Sequence, residues 1–263
     1  MREISTIVTT AGRPDELSMQ LANAACEALD AVFQPRKKRS VKKMAELFDA
    51  QVIVAGKNRY ELYVKGAEAP FFFHPNSAAF RLKRVARGES DPLLDAAKLE
   101  AGDSFLDCTL GMGADAMLAA FTVSANGRVI GLEANREVAF IVKNGMATYD
   151  TTELPLTACM RQIEVVQQDA LSYLRSQPDN HFDVVYMDPM FEEVIEESTN
   201  FEALREAGSH IALSLEWVQE AKRVANKRVV LKAHFRSQAF EAYGFERDVR
   251  LTSKFHYGFL EVE

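Results

Sequence analysis

Apolar positions along the chain follow two rhythms, and the change between them falls near residue 75. Ile4 to Thr10 is a short β-branched run closed by the turn Ala11-Gly-Arg-Pro14, and Pro14 suits the first turn of a helix. Leu17, Leu21, Ala24, Ala25, Ala28, Leu29 and Val32 then recur at helical spacing, which predicts one helix whose apolar stripe is core. Ser40 is placed to cap a second helix running to about Phe48. Val52–Ala55 and Tyr60–Val64 read as two strands joined at Gly56-Lys-Asn-Arg59, and Phe71-Phe-Phe73 as a third that ends at His74-Pro-Asn76. From Ser77 a helix turns Phe80, Leu82 and Val85 inward and leaves Arg81, Lys83, Arg84 and Arg87 elsewhere. Gly88-Glu-Ser-Asp-Pro92 breaks it, and a short helix at Leu93–Ala97 leads to Gly102.

Beyond Gly102 strands and helices alternate. Strands are predicted at Phe105–Cys108, Arg128–Leu132, Ile163–Val166, Asp183–Met187 and Arg228–Lys232, with helices at Ala114–Thr122, Glu137–Tyr149, Ala170–Gln177 and Leu213–Ala225. That alternation is the pattern of a parallel sheet covered on both faces. The tail differs: Phe245–Leu251 and Tyr257–Val262 have no helix between them and read as an antiparallel hairpin at the sheet edge. The expected fold class is therefore α/β, a mostly parallel sheet with a C-terminal antiparallel hairpin over residues 76–263, plus a small N-terminal α+β domain over residues 1–75.

Composition narrows the class. The 263 residues, 48% apolar and 26% charged, suit a principal globular domain with a smaller attachment. No run of 18 uncharged apolar residues predicts a membrane span, and the first residues lack the apolar core of a signal peptide. Cys26, Cys108 and Cys159 form no Cys-x-x-Cys pair, which predicts reduced thiols in a cytoplasmic protein, with neither a disulfide framework nor a metal site. A net charge of −7 argues against wholesale electrostatic binding to nucleic acid but leaves room for a local basic face. Arg36, Lys37, Lys38, Arg39, Lys42 and Lys43 lie in one acid-free run, the expected RNA contact, with Lys57 and Arg59 beside it. A solvated helix face is the ordinary alternative for such a run. Arg81, Lys83, Arg84 and Arg87 offer a second patch.

The chemistry concentrates after Ser104. Asp107 ends an apolar run, and Gly111 and Gly113 follow before an Ala-rich helical pattern. Glycines belong where a strand turns sharply into a helix and the backbone meets a ligand, because the helix N-terminus there presents N–H groups. Gly111-Met-Gly-Ala-Asp-Ala116 also satisfies the dinucleotide fingerprint, so this turn alone leaves two nucleotide cofactors open. Glu133 closes the second strand, where an acid can accept hydrogen bonds from both ribose hydroxyls of an adenosine. Asp169 follows the third strand, placed to take an adenine amino group or to cap the next helix. Asp188-Pro189-Met190-Phe191 follows the apolar strand Phe182–Met187. An exocyclic amino group on a purine is a poor nucleophile because its lone pair is delocalised into the ring. The Asp188 carboxylate and the Pro189 carbonyl can hold its two hydrogens, and Phe191 can stack on the base. His74 reads as structural, and Glu192, Glu193, Glu196 and Glu197 as a lid or a partner surface, which the sequence does not decide.

With these residues in place the chain resembles S-adenosylmethionine (SAM)-dependent methyltransferases of the Asp/Asn-Pro-Pro-aromatic group. It resembles in particular the family that contains the bacterial small-subunit ribosomal RNA guanine-N2 methyltransferase. Members carry Asp-x-Thr-x-Gly-x-Gly-x-Asp-Ala and later Asp-Pro-Met-Phe, matched here by Asp107 to Ala116 and by Asp188 to Phe191. The resemblance covers roughly Ser77 to Val262, and Met190 stands where the wider group has a second proline. It implies a Rossmann-like class I methyltransferase fold with SAM as cofactor, held at Ala114, Asp115, Glu133, Ala134, Asp169, Ala170 and Asp188. It implies methyl transfer to an exocyclic amino group of an RNA base, guanine N2 of ribosomal RNA foremost. The rival readings are methylation of a DNA adenine or a protein glutamine, a hydride-transferring dehydrogenase, and a non-catalytic RNA-binding protein that retains SAM.

Overall fold

A computed structural model describes residues 6–151, 155–189 and 213–262, and the chain divides into two compact units. Among the described residues the first unit comprises residues 6–74 together with Asn135–Gly145. Its sheet has the order β2-β1-β3-β4, where β1 is Thr6–Thr10, β2 Val32–Phe33, β3 Gln51–Ala55 and β4 Tyr60–Tyr63. β1 runs parallel to both neighbours, and β4 returns antiparallel to β3. Helix α1, Glu16–Ala28, is capped by Asp15, whose carboxylate accepts from the Ser18 N–H at 2.8 Å. The predicted stripe is only partly core. Of its residues Ala25 and Leu29 are buried, but Ala24 and Ala28 are exposed, Leu17 is 49% exposed and Val32 46% exposed, and Ala22 joins the core instead. The helix stops at Ala28 because Asp30 takes a left-handed φ of 45°, and Val32 opens β2 instead. Helix α2, Val41–Phe48, begins at its Ser40 cap and packs Met44 against Ile7, Val52 and Val54. Phe71 forms a single bridge to Leu62, short of a third strand.

The segment Asn135–Gly145 joins this unit through polar and apolar contacts. The Thr6 hydroxyl donates to the Glu137 carboxylate at 2.7 Å, and the Tyr60 and Phe140 rings lie 4.8 Å apart. A Cβ built on Gly145 would come within 2.2 Å of the Phe73 ring, so the absence of a side chain is what admits Phe73 there.

The second unit holds a seven-stranded sheet of order β10-β11-β9-β8-β5-β6-β7. Its strands are β5 Ser104–Asp107, β6 Arg128–Glu133, β7 Ile163–Gln167, β8 Phe182–Met187, β9 Ala225–His234, β10 Glu246–Asp248 and β11 Phe255–Glu261. Five run parallel; β11 pairs antiparallel with β9, and β10 antiparallel with β11, as the tail pattern predicts. Helices α3 Asn76–Val85, α4 Pro92–Ala97, α5 Ala114–Val123, α6 Arg136–Thr148, α7 Leu156–Gln162, α8 Ala170–Ser176, α9 Leu215–Val224 and α10 Ala239–Ala242 follow in chain order, α6 belonging to the first unit as far as Gly145. β5, β6, β8 and β9 share one apolar cluster with α9, where Trp217, Val218, Ala221 and Val224 pack on Phe182, Val185 and Val229. Buried area of this kind contributes roughly 25 cal/mol per Å², which holds the strand ends in place. On α3 the inward face differs from the sequence expectation. Leu82 is fully buried, but Phe80 is 67% exposed and Arg81 turns inward. No described helix is long and apolar enough to cross a membrane.

Candidate active site

Strand order reverses at β5: the chain proceeds to β6 and β7 on one side and to β8 and β9 on the other. Such a switch point opens a crevice at the carboxyl ends of the strands, and the loops after β5, β6, β7 and β8 meet there. The turn after β5 is built by its own polar atoms. The Thr109 N–H donates to the Asp107 carboxylate at 2.9 Å, and the Gly113 N–H to the Leu110 carbonyl at 2.7 Å. Gly111 has φ 49° and Gly113 φ 74°, left-handed values that a side chain resists. At Gly113 a Cβ would also strike the Met146 methyl at 2.2 Å. The Asp188 N–H donates to the Thr109 hydroxyl at 2.8 Å, which ties the loop after β8 to the glycine turn.

A chain of alternating charges runs behind this turn. Arg81 grips Asp91 through Nε at 2.9 Å and Nη2 at 2.7 Å, and reaches Asp115 through Nη1 at 2.5 Å. The second Asp115 oxygen accepts from the Tyr186 hydroxyl at 2.9 Å and from Lys232 at 3.5 Å. Lys232 in turn donates to Asp188 at 2.6 Å. Burial alone would raise the Asp115 carboxyl, but the charges of Lys232 and Arg81 override it and hold the group well below the usual carboxylate range. Burial likewise works against the Lys232 charge, and Asp115 and Asp188 more than offset it, so the ammonium persists far above its ordinary range. At Asp107 the balance tips the other way. Burial, followed by the charge of Asp115, pushes its carboxyl up to about 8.

The structure brings most of the sequence-predicted residues to this one edge. Asp107 ends β5, Glu133 ends β6 with Ala134 beside it, Asp169 follows β7, and Asp188 and Pro189 follow β8. Glu133, Ala134, Asp169 and Asp188 are half-buried, whereas Asp107 and Asp115 are buried. Asp169 caps α8, accepting from the Ser172 N–H at 2.9 Å, and Ala170 is buried behind it. Met190, Phe191 and the acidic positions Glu192, Glu193, Glu196 and Glu197 lie outside the described residues. Arg81, Asp91, Tyr186 and Lys232 join the site although no sequence motif marks them, and Arg81 leaves the basic patch expected of it because two carboxylates engage it. The one sequence signal for Lys232 is a lone cation in the apolar run Val229-Val-Leu-Lys-Ala233.

In the first unit the predicted RNA contacts are at the surface. Lys37, Lys38, Lys42 and Lys43 are exposed, and Arg36 and Arg39 half-buried. Arg36 Nε donates to the Arg39 carbonyl at 2.9 Å, which folds the run into a tight loop before α2. Lys43 pairs with Glu46 at 3.4 Å, and Arg59 with Glu61 at 2.6 Å while lying 3.8 Å over the Phe72 ring.

A doubly wound sheet, two left-handed glycines at the switch point and half-buried acids closing the neighbouring strands together define a protein that binds an adenosine-containing cofactor. The donor set fits SAM: carboxylates for ribose hydroxyls and amines, and a turn with no side chain at its closest approach. The sequence profile of the family described as "Putative SAM-dependent methyltransferase" matches residues 52–243, and the chain belongs to that family. The Bacillus subtilis protein named "Uncharacterized protein YpiP" is 42% identical over 256 residues, 97% of this chain and 99% of that protein. Ribosomal RNA small subunit methyltransferase J of Acinetobacter baylyi is 31% identical over 113 residues, 42% of this chain and 40% of that protein. A crystal structure of a SAM-dependent methyltransferase from Neisseria gonorrhoeae superposes with a TM-score of 0.63 at 16% identity, covering 98% of this chain and 96% of that one, a likeness of fold.

Proposed function

We propose that this methyltransferase acts on an exocyclic amino group of an RNA base, with guanine N2 of ribosomal RNA as its target. The observation that carries this reading is the placement of Asp188-Pro189 at the carboxyl end of β8, one hydrogen bond from the glycine turn. SAM supplies an electrophilic methyl group when bound. The backbone N–H groups of Ala114 and Asp115 at the start of α5 would hold it together with the turn shaped by Asp107, Gly111 and Gly113, Glu133 and Ala134 would hold its ribose, and Asp169 and Ala170 its adenine. The Asp188 carboxylate and the Pro189 carbonyl accept the two amino hydrogens, which fixes the base and aims the nitrogen lone pair. Phe191 stacks on the base, and the Asp188 carboxylate stabilises the positive charge that develops on the nitrogen. The run Arg36 to Lys43 holds the phosphate backbone. The name of the Acinetobacter relative supports ribosomal RNA as the substrate class.

Calorimetric titration of dialysed protein with SAM, S-adenosylhomocysteine and NAD tests the cofactor, with micromolar binding of the first two and none of NAD expected. Transfer of labelled methyl to ribosomal particles then tests the substrate. Asp188→Ala should keep its fold and lose turnover by about 100-fold or more, the scale of removing one group that stabilises developing charge. Unchanged turnover in that variant, or labelled protein in place of labelled RNA, would sink the assignment.

A further inference from the structure

The sequence presents one basic run; the fold of the first unit makes it part of something larger. β1, β2 and β3 are parallel neighbours, so the loops that follow them leave the same edge of the sheet. Gln34 N–H bonds the Val8 carbonyl at 2.8 Å and Ala11 N–H the Ala55 carbonyl at 3.1 Å, which sets the three loop origins side by side. Each loop carries cations: Arg13 after β1, Arg36 to Arg39 after β2, and Lys57 after β3. Arg13, Lys37, Lys38 and Lys57 are all exposed. Lys57 lies near enough to Asp15, behind that residue's stronger hydrogen bonds from Ser18, to help hold the Asp15 carboxyl below its usual range. The loops after β1 and β3 therefore lie within electrostatic reach of each other.

Two features show charge placed against local preference. Lys37 and Lys38 are consecutive residues in the left-handed region, φ 47° and 64°, a costly conformation for long side chains that glycine or asparagine would adopt more readily. α2 has no acid in its first turn and carries Lys42 and Lys43 there, where the helix dipole favours negative groups. Near this end of the sheet the acids are Asp15 and Glu16 at the start of α1, with Glu61 paired to Arg59 and Glu46 to Lys43, while Glu27 lies in the last turn of α1, so the rim remains net positive.

We propose that these three loops form one phosphate-binding rim that grips the RNA sugar–phosphate backbone across the edge of the first sheet, with Arg13 and Lys57 taking part as fully as the run Arg36 to Arg39. This rests on RNA being the substrate. Contacts to phosphate give affinity and register without reading sequence, and each displaces counterions.

Binding of small-subunit ribosomal RNA to the full chain, measured across a salt series, tests it. Arg13→Gln and Lys57→Gln should each weaken binding several-fold and lower the slope of log affinity against log salt by about 0.7–0.9, and Lys37→Gln and Lys38→Gln should do the same. Lys65→Gln is the control: Lys65 follows β4 at the opposite edge and pairs with Asp49, so its affinity should match wild type. Wild-type affinity in Arg13→Gln and Lys57→Gln alongside loss in Lys37→Gln reduces the surface to the linear run and overturns the rim. Equal loss in Lys65→Gln would mean diffuse charge and would overturn the rim as well. SAM titration and methyl transfer to ribosomal particles on the same variants separate the two ideas. Wild-type protein that transfers methyl to RNA while every rim variant binds normally removes the rim alone. Wild-type protein that binds SAM and neither binds nor methylates RNA removes the substrate reading and the rim with it.

Discussion

Asp107 and Asp115 sit in the same buried site and titrate in opposite directions, which gives stability a signature at both ends of the pH scale. Asp115, held low by Lys232 and Arg81 against its burial, contributes stability present above the usual carboxylate pKa and lost as the solution becomes strongly acidic. Asp107, raised by burial to about 8, binds a proton in the folded state that the unfolded chain has already released above about pH 4. Its contribution is complete below that unfolded value and disappears as pH climbs through about 8. Asp107→Asn keeps an acceptor for the Thr109 N–H and removes the titration. The variant should therefore gain thermal stability relative to wild type as pH rises from about 4 to about 8, read in scanning calorimetry as a Tm difference that widens over that range and then levels off; a pH-independent difference would contradict it. The acids of this site are legible in the sequence because strand-end position and glycine spacing are local features. Arg81 and Lys232 are not, because their partner Asp115 lies 34 and 117 positions away, and nothing near either residue announces the pairing.

Helix α3 shows, at the scale of an element, why an inward face has to be read at the helical period. At about 100° per residue Phe80 lies roughly 160° from Leu82 and 140° from Val85, whereas Arg81 lies roughly 100° and 40° from them, so the period itself puts Arg81 on the Leu82 side. Two buried carboxylates reinforce it: leaving Asp91 without its cation and Asp115 with Lys232 alone would cost several kcal/mol, more than exposing one phenyl ring loses. Phe80→Ser should then change stability by no more than about 0.5 kcal/mol. Leu82→Ala should lose about 2–5 kcal/mol, both read by urea denaturation. A large loss for Phe80→Ser would restore the face that hydropathy suggests. Other elements depart from the pattern for local reasons. The apolar spacing of α1 runs past its true end because a left-handed Asp30 stops the helix, and an aspartate gives weaker notice of a stop than glycine does. α7 escapes a reading of periodicity although Leu156, Cys159 and Met160 are buried at helical spacing, since seven residues hold barely two turns of pattern. The parallel strands and β11 are visible because each carries an apolar run long enough to stand out, whereas β10 shrinks from the expected Phe245–Leu251 to the charged, exposed or half-buried Glu246–Asp248.

At the scale of the molecule, the sequence marks a change of rhythm near residue 75, but local pattern cannot show which distant segment closes the first unit. Asn135–Gly145 supplies it with Glu137 against Thr6, Phe140 against Tyr60, and the bare backbone of Gly145 against Phe73. A fragment ending at residue 74 should accordingly show strand signal in far-UV circular dichroism without a cooperative thermal transition. A sharp, two-state melt from that fragment would mean the missing segment is dispensable.

The interleaving also orders events during synthesis. Translation proceeds at roughly 5–20 residues per second, so several seconds separate His74 from Gly145. Through that interval β1, β3 and β4 have been made while Thr6, Tyr60 and Phe73 still lack the contacts that Glu137, Phe140 and Gly145 bring. Meanwhile β5, the glycine turn, α5 and β6 leave the ribosome in turn. The part of the chain made first is thus finished only after the cofactor turn has emerged, and the growing chain carries an incomplete sheet across the whole of that wait.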